Sequence, residues 1–249
     1  MEKEEFLKKK EETASFLLEY EKFLKSEKLI DSIYLQMFGD LMKENMRLSI
    51  LVDKYHNAIG MKERGDDTED IKKMIATAFK AADDKYAQLQ IKISNEIKNS
   101  KNLNRLNVND LKRIEEYFAD KCMKYHPILE MSISQDMERL WRFFVYFYQN
   151  NNYEGLKQIG SELENLYKEE KSDLYPKYVE FYDNAVTSLK NQMTIDMTRY
   201  PFAAKEIIED DMKSANETAK FRQSISDLKE EMHKQEKKYK ELYGEIEVF

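Results

Sequence analysis

FRQSISDLKEEMHKQEKKYKELYGEIEVF, residues 221–249, decides the fold class. Phe221, Ile225, Leu228, Met232, Gln235, Tyr239, Leu242, Ile246 and Phe249 follow in alternating steps of four and three, and only Gln235 is polar. That spacing is the seam of a coiled coil. At 1.5 Å per residue the stretch spans about 43 Å. A stripe so narrow needs a partner helix, and the N-terminal third of the chain offers one. Ile30, Tyr34, Met37, Leu41, Leu48, Val52, Tyr55 and Ile59 repeat the pattern within a helix expected from about Glu4 to Ile59, with a polar interruption at Glu44 and Asn45. Gly39 weakens that helix by about 1 kcal/mol relative to Ala and is a candidate bend. Gly60 to Asp67 reads as a turn, with Asp67 or Thr68 capping a second helix. Its stripe is Ile71, Ile75, Ala78, Ala82, Tyr86, Leu89, Ile93 and Ile97.

The remainder of the chain supports an all-α reading. Only 6 Gly and 3 Pro occur in 249 residues, too few for the turns of a sandwich, a barrel or a doubly wound sheet. A charged fraction of 36% suits slender elements with much surface. Asn99 to Asn109 holds five Asn in eleven residues and predicts a loop. Helices are then expected from Asp110 to Tyr125, stopped by Pro127; from a cap at Ser132 or Ser134 to Tyr148; and from Tyr153. A break at Ser172 to Pro176 starts a helix carrying Leu174, Tyr178, Phe181, Ala185, Leu189 and Met193, and Arg199 to Phe202 forms a corner. The expected organisation is a helical hairpin stem at 1–100, a compact helical head at 108–168, and C-terminal helices at 172–249, the last pairing with the stem. Such a molecule would be elongated.

The net charge of −7 argues against a nucleic-acid footprint and against attraction to an anionic membrane. One cysteine, Cys122, excludes an internal disulfide framework and fits a reducing compartment. The longest apolar run, Phe143 to Tyr148, is far short of the roughly 20 residues of a membrane helix. A cytoplasmic protein is expected.

The stretch Asp110 to Leu166 resembles helix II, loop and helix III of DnaJ-type J-domains, where a helix ending in Tyr-His meets a His-Pro-Asp loop. It is closer still to a group of bacterial coiled-coil proteins with an embedded J-like segment. The residues that carry the resemblance are Tyr125-His126-Pro127, Leu129, Leu140-Trp141, Tyr148, Asn150 and Glu154-Gly155-Leu156, followed by Tyr200-Pro201-Phe202 and Lys205-Glu206-Ile207. It covers the chain from about Asp110 to the end. The resemblance implies a J-like head whose loop residues His126, Pro127 and Ile128 form the binding site, with Lys121, Lys124, Phe143 and Phe147 as a candidate partner surface. In J-domains the loop Asp triggers the ATPase of a DnaK-type chaperone. Here Ile128 stands in its place and cannot accept a charge-assisted bond. The preceding helix offsets Lys112, Arg113, Lys121 and Lys124 with Asp110, Glu115, Glu116 and Asp120, so co-chaperone activity is expected to be lost.

Other constellations carry less. Cys122 and His126 share a helix face as a conceivable metal or nucleophile pair, with a buried thiol as the default. Glu230 and His233 form one Glu-x-x-His where a di-iron bundle needs two. Trp141, Phe144 and Tyr148 share a core face. Phe143 and Phe147 either dock inward or form an exposed patch, docking being the preferred reading. No phosphate loop, catalytic triad or metal-spaced Cys set is present. No cofactor, metal or catalytic residue is expected. The expected function is a non-enzymatic interaction scaffold or chaperone-like adaptor, with a DnaK-type chaperone as a candidate partner and a homodimer through the coiled-coil helices as a candidate assembly. The alternatives are an atypical J-domain co-chaperone and, less favoured by the charge, a membrane-shaping dimer like a BAR domain.

Overall fold

The computed structural model describes residues 3–103, 108–130, 134–168, 171–244 and 249, without the side chains of residues 99–103 and Met123. Every regular element is helical, and no strand occurs among the described residues. The long helices are α1 (Lys3–Glu63), α2 (Thr68–Leu103), α3 (Val108–Tyr125), α4 (Gln135–Gln149), α5 (Tyr153–Leu166), α6 (Tyr175–Met197) and α8 (Asp211–Tyr243). A five-residue α7 (Lys205–Glu209) and 3-10 turns at Pro127–Leu129, Ser172–Leu174 and Phe202–Ala204 complete the order. No helix among the described residues is long and apolar enough to cross a membrane.

Two compact units emerge, each drawn from two stretches of chain. The first is Met1–Asp31 with Asn102–Ala204, and the second is Ser32–Lys101 with Lys205–Phe249.

In the first unit, α3, α4 and α5 close around Phe118. Its ring stacks on Tyr148 at 3.7 Å and on Phe144 at 5.2 Å, with Trp141 at 6.0 Å. Ile114, Cys122, Leu140, Leu156 and Leu163 fill the remaining core. Each aliphatic or aromatic side chain removed from water there contributes about 1.5–3 kcal/mol. Local chemistry sets the helix starts. The Ser134 hydroxyl accepts the Met137 N–H, and the Asn152 side chain accepts the Gly155 N–H. Ser134, and not Ser132, is therefore the cap of α4; Ser132 lies outside the described residues. A second cluster forms where α1 meets α6: Phe6, Ala14 and Leu17 pack with Leu129, Tyr175, Tyr178 and Tyr182.

In the second unit, α1 from Ser32 onward packs with α2 and α8. Tyr34 and Phe38 face α8, with Phe38 at 6.2 Å from Phe221 and the Tyr34 hydroxyl donating to Glu217. Gly39 faces α2. A β-carbon on Gly39 would lie 3.1 Å from two carbons of Ile93, so the residue permits a close helix approach. Because α1 is covered from two sides, its buried stripe is wider than a two-helix seam. Tyr34, Leu35 and Phe38 are buried, while Met37 of the expected seam is exposed. The polar interruption is matched across the interface, where Asn45 donates to Ser224 at 2.6 Å. Farther along, Ala58, Ile59, Met61, Ile71, Ile75, Tyr239 and Tyr243 form one cluster. The Tyr243 hydroxyl donates to the Ala58 carbonyl at 2.7 Å, so Tyr243 is buried and the expected Leu242 is exposed. Ile246 lies outside the described residues.

The hairpin turn uses Gly65 at φ 93°, a left-handed conformation that favours glycine. The Asp67 carboxylate accepts the Glu69 N–H and starts α2. Helix α2 then runs through residues 99–103, where a loop was expected, and α3 begins at Val108; residues 104–107 lie outside the described residues. Asn disfavours a helix by no more than about 0.7 kcal/mol per residue, too little to end it alone.

The Gly39 contact gives a direct test. Gly39→Leu is expected to lower stability by about 1–3 kcal/mol, because the added carbons have no space beside Ile93. Urea unfolding measures it. An unchanged or raised midpoint would show that α1 and α2 do not approach this closely.

Candidate functional site

Helix α3 ends at Tyr125 because Pro127 excludes the preceding residue from the helical region. His126 is accordingly extended, at φ −64° and ψ 130°, and caps the 3-10 turn Pro127–Leu129. Its Nδ1 accepts the Ile128 N–H at 3.1 Å, and its carbonyl accepts the Leu129 N–H at 2.9 Å. The Tyr182 hydroxyl of α6 donates to the Leu129 carbonyl at 2.8 Å. The turn is thus bonded at both ends.

This turn is an interior feature of its unit. The His126 side chain is only 6% exposed. Its ring lies 4.8 Å from Trp141 of α4, and its Nε2 lies 3.6 Å from the Glu21 carboxylate of α1. Ile128 packs against the cluster of Phe6, Leu17 and Tyr182, and Pro127 is half-buried. Helices α1, α4 and α6 close over the residues expected to form a binding loop.

Glu21 has no counterpart in the sequence reading. It is buried, and its Oε2 has no hydrogen-bond partner among the described residues. The signal was present in the stripe Phe6, Lys10, Ala14, Leu17, Glu21, whose steps of three and four place a carboxylate on the packed face of α1. Cys122, one turn before His126, is fully buried. Burial pushes its thiol well above the ordinary range, and the Glu21 charge adds to this. It is therefore held as an inert thiol. At the far end of the turn, burial raises the Glu130 carboxyl against the opposing pull of Lys10. Burial also lowers the Lys10 ammonium, against the opposing pull of Glu130.

A second polar group ties α1 to α3 and α4. Lys25 donates to Glu115 at 2.6 Å, Tyr148 donates to the other oxygen of the same carboxylate at 2.7 Å, and the Lys25 ammonium sits 3.9 Å over the Tyr148 ring. Burial and the Glu115 bond raise the Tyr148 phenol.

The candidate partner surface divides. Lys121 is buried, 3.4 Å from Glu164 and 3.8 Å from Asp120. Tyr125 donates to the same Glu164, and burial with that charge pushes its phenol up to about 12. Lys124 is exposed, 3.7 Å from Asp120. Phe147 packs over Gly155, where a β-carbon would collide with its ring. Phe143 stays outside, 50% exposed, and so does Tyr146 at 58%. Glu230 pairs with Lys234 at 2.8 Å, and His233 is exposed. Among the described residues no three His, Cys, Asp or Glu side chains converge to hold a metal.

The chain matches no protein-family model, no curated protein and no solved structure.

Proposed function

We propose that this chain is a non-enzymatic protein-interaction scaffold or chaperone-like adaptor, its helices at 108–168 a J-like head without co-chaperone activity. The observation that supports this reading is the two-faced character of α4. Its inner face holds Trp141, Phe144 and Tyr148 in the core. Its outer face leaves Phe143 and Tyr146 in water beside Arg139 and Arg142, at steps of three and four. Aromatic and arginine side chains on a rigid element are the usual anchors of protein recognition. The loss of co-chaperone activity rests on the turn. By the resemblance Ile128 stands where J-domains carry the acid; its side chain packs against an apolar cluster, and His126 is covered by Glu21 and Trp141.

The test places a photo-crosslinking amino acid at Tyr146 in cells of the native host. A discrete adduct that disappears with Phe143→Ser is expected, and the absence of any adduct overturns the reading. In parallel, the purified protein should leave the ATPase of the host's DnaK-type chaperone unchanged. Stimulation that His126→Ala abolishes would establish the co-chaperone alternative instead.

A further inference from the structure

Buried polar groups are normally paired, and the His126 turn contains an exception. Its ring has one nitrogen engaged and one facing a carboxylate it does not reach. Nδ1 accepts the Ile128 N–H, which requires an unprotonated Nδ1 and places the ring proton on Nε2. Nε2 points toward Glu21 Oε1 at 3.6 Å, too long for a hydrogen bond. The other oxygen, Oε2, is buried and has no partner among the described residues.

We propose that His126 is a two-position proton switch, bonded to the Pro127–Leu129 turn when neutral and to Glu21 of α1 when charged. An imidazolium carries a proton on both nitrogens and accepts at neither. Protonation therefore breaks the bond to the Ile128 N–H in either orientation of the ring. The same event creates a cation beside a buried carboxylate with unused acceptor capacity, and a charge-assisted bond there is stronger than the neutral one it replaces. The ring leaves the turn for α1. The turn loses its cap, while α1 gains an ion pair.

The surrounding groups leave this exchange to the two residues. Glu21 of α1 lies 3.6 Å from the ring; its neighbour Lys22 and α3's Cys122 interact with one another electrostatically. The Cys122 thiol is held neutral by burial. From α4, Trp141 does not titrate, and the Tyr148 hydroxyl is committed to Glu115. From α6, the Tyr182 hydroxyl is committed to Leu129. Glu130 and Lys10 interact with each other beyond the turn.

Amide hydrogen exchange and 15N NMR on the full chain test it, from about pH 8 to about pH 5, the range in which imidazoles change charge. The protection factor of the Ile128 amide is expected to fall roughly tenfold as the His126 ring nitrogens report charging, the loss of one hydrogen bond. The Phe144 amide, in the neighbouring core, should keep its protection. With Glu21→Ala the strongly downfield Nε2 proton resonance expected of the bonded imidazolium should be lost. An Ile128 amide that stays protected while the ring becomes charged overturns the proposal. So does a ring that remains neutral down to the pH at which Phe144 also loses protection.

Discussion

Replacing Trp141 with Ala is expected to destabilise the first unit by about 3–5 kcal/mol, the range for truncating a buried large aromatic. The indole is 6% exposed and lies between Phe118, Phe144 and His126, so α3, α4 and the turn lose contact at once. A domain's total stability is only about 5–15 kcal/mol. The variant should therefore unfold at a much lower urea concentration, read by far-UV circular dichroism. The protein contains a single Trp, so tryptophan fluorescence cannot follow the variant. A midpoint equal to wild type would mean that Trp141 lies at a surface and that α3 and α4 do not pack as described.

The second large effect is expected far from it in sequence. Phe6→Ala should also cost about 3–5 kcal/mol. Phe6 is buried to 1% and stacks on Tyr175 at 4.2 Å with the rings 5° from parallel, and Tyr178 and Tyr182 close around it. This residue tests whether the start of α1 is a packed part of its unit or a frayed end. If Phe6→Ala costs less than about 1 kcal/mol, the cluster with α6 contributes little in solution and the start of α1 is anchored by Leu18, Lys25 and their neighbours. Combining Phe6→Ala with Trp141→Ala distinguishes one cooperative unit from two clusters, since effects of distant residues add while coupled ones do not.

The all-α class was legible from the scarcity of Gly and Pro and from the 3.6-residue periodicity. Stops at Tyr125, at Asn150–Asn152 and before Pro176 were legible too, because proline geometry and side-chain caps act within a few residues. Long-range covering was not. The sequence of α1 before Ile30 has an apolar stripe interrupted by Lys10, Thr13 and Glu21, and a stripe with polar members gives no seam. Yet Thr13 and Glu21 are buried, the hydroxyl satisfied by the Lys9 carbonyl and the carboxylate set against His126. For the same reason the turn at His126 reads as an open loop: apart from Trp141, the residues that cover it, Glu21 and Tyr182, lie far from it in sequence. Met37 and Leu242 mark a related limit. A two-helix seam assumes one partner, and a helix with two partners buries residues on both sides of that line. Among the aromatic residues of α4, spacing separated the core face from the rest but did not distinguish Phe147, which rests on Gly155, from Phe143, which does not.

Both units are assembled from stretches of chain that are distant in sequence, and during synthesis that distance becomes time. Tyr182 follows Phe6 by 176 positions, which at about 5–20 residues per second is roughly 9–35 s of translation. Throughout that interval Phe6, Ala14 and Leu17 have left the ribosome before the helix that will cover them exists. Ser32 to Lys101 likewise waits for α8. The nascent chain therefore carries unpaired apolar stripes from the outset, and anything that slows translation lengthens the period in which those stripes meet other chains first.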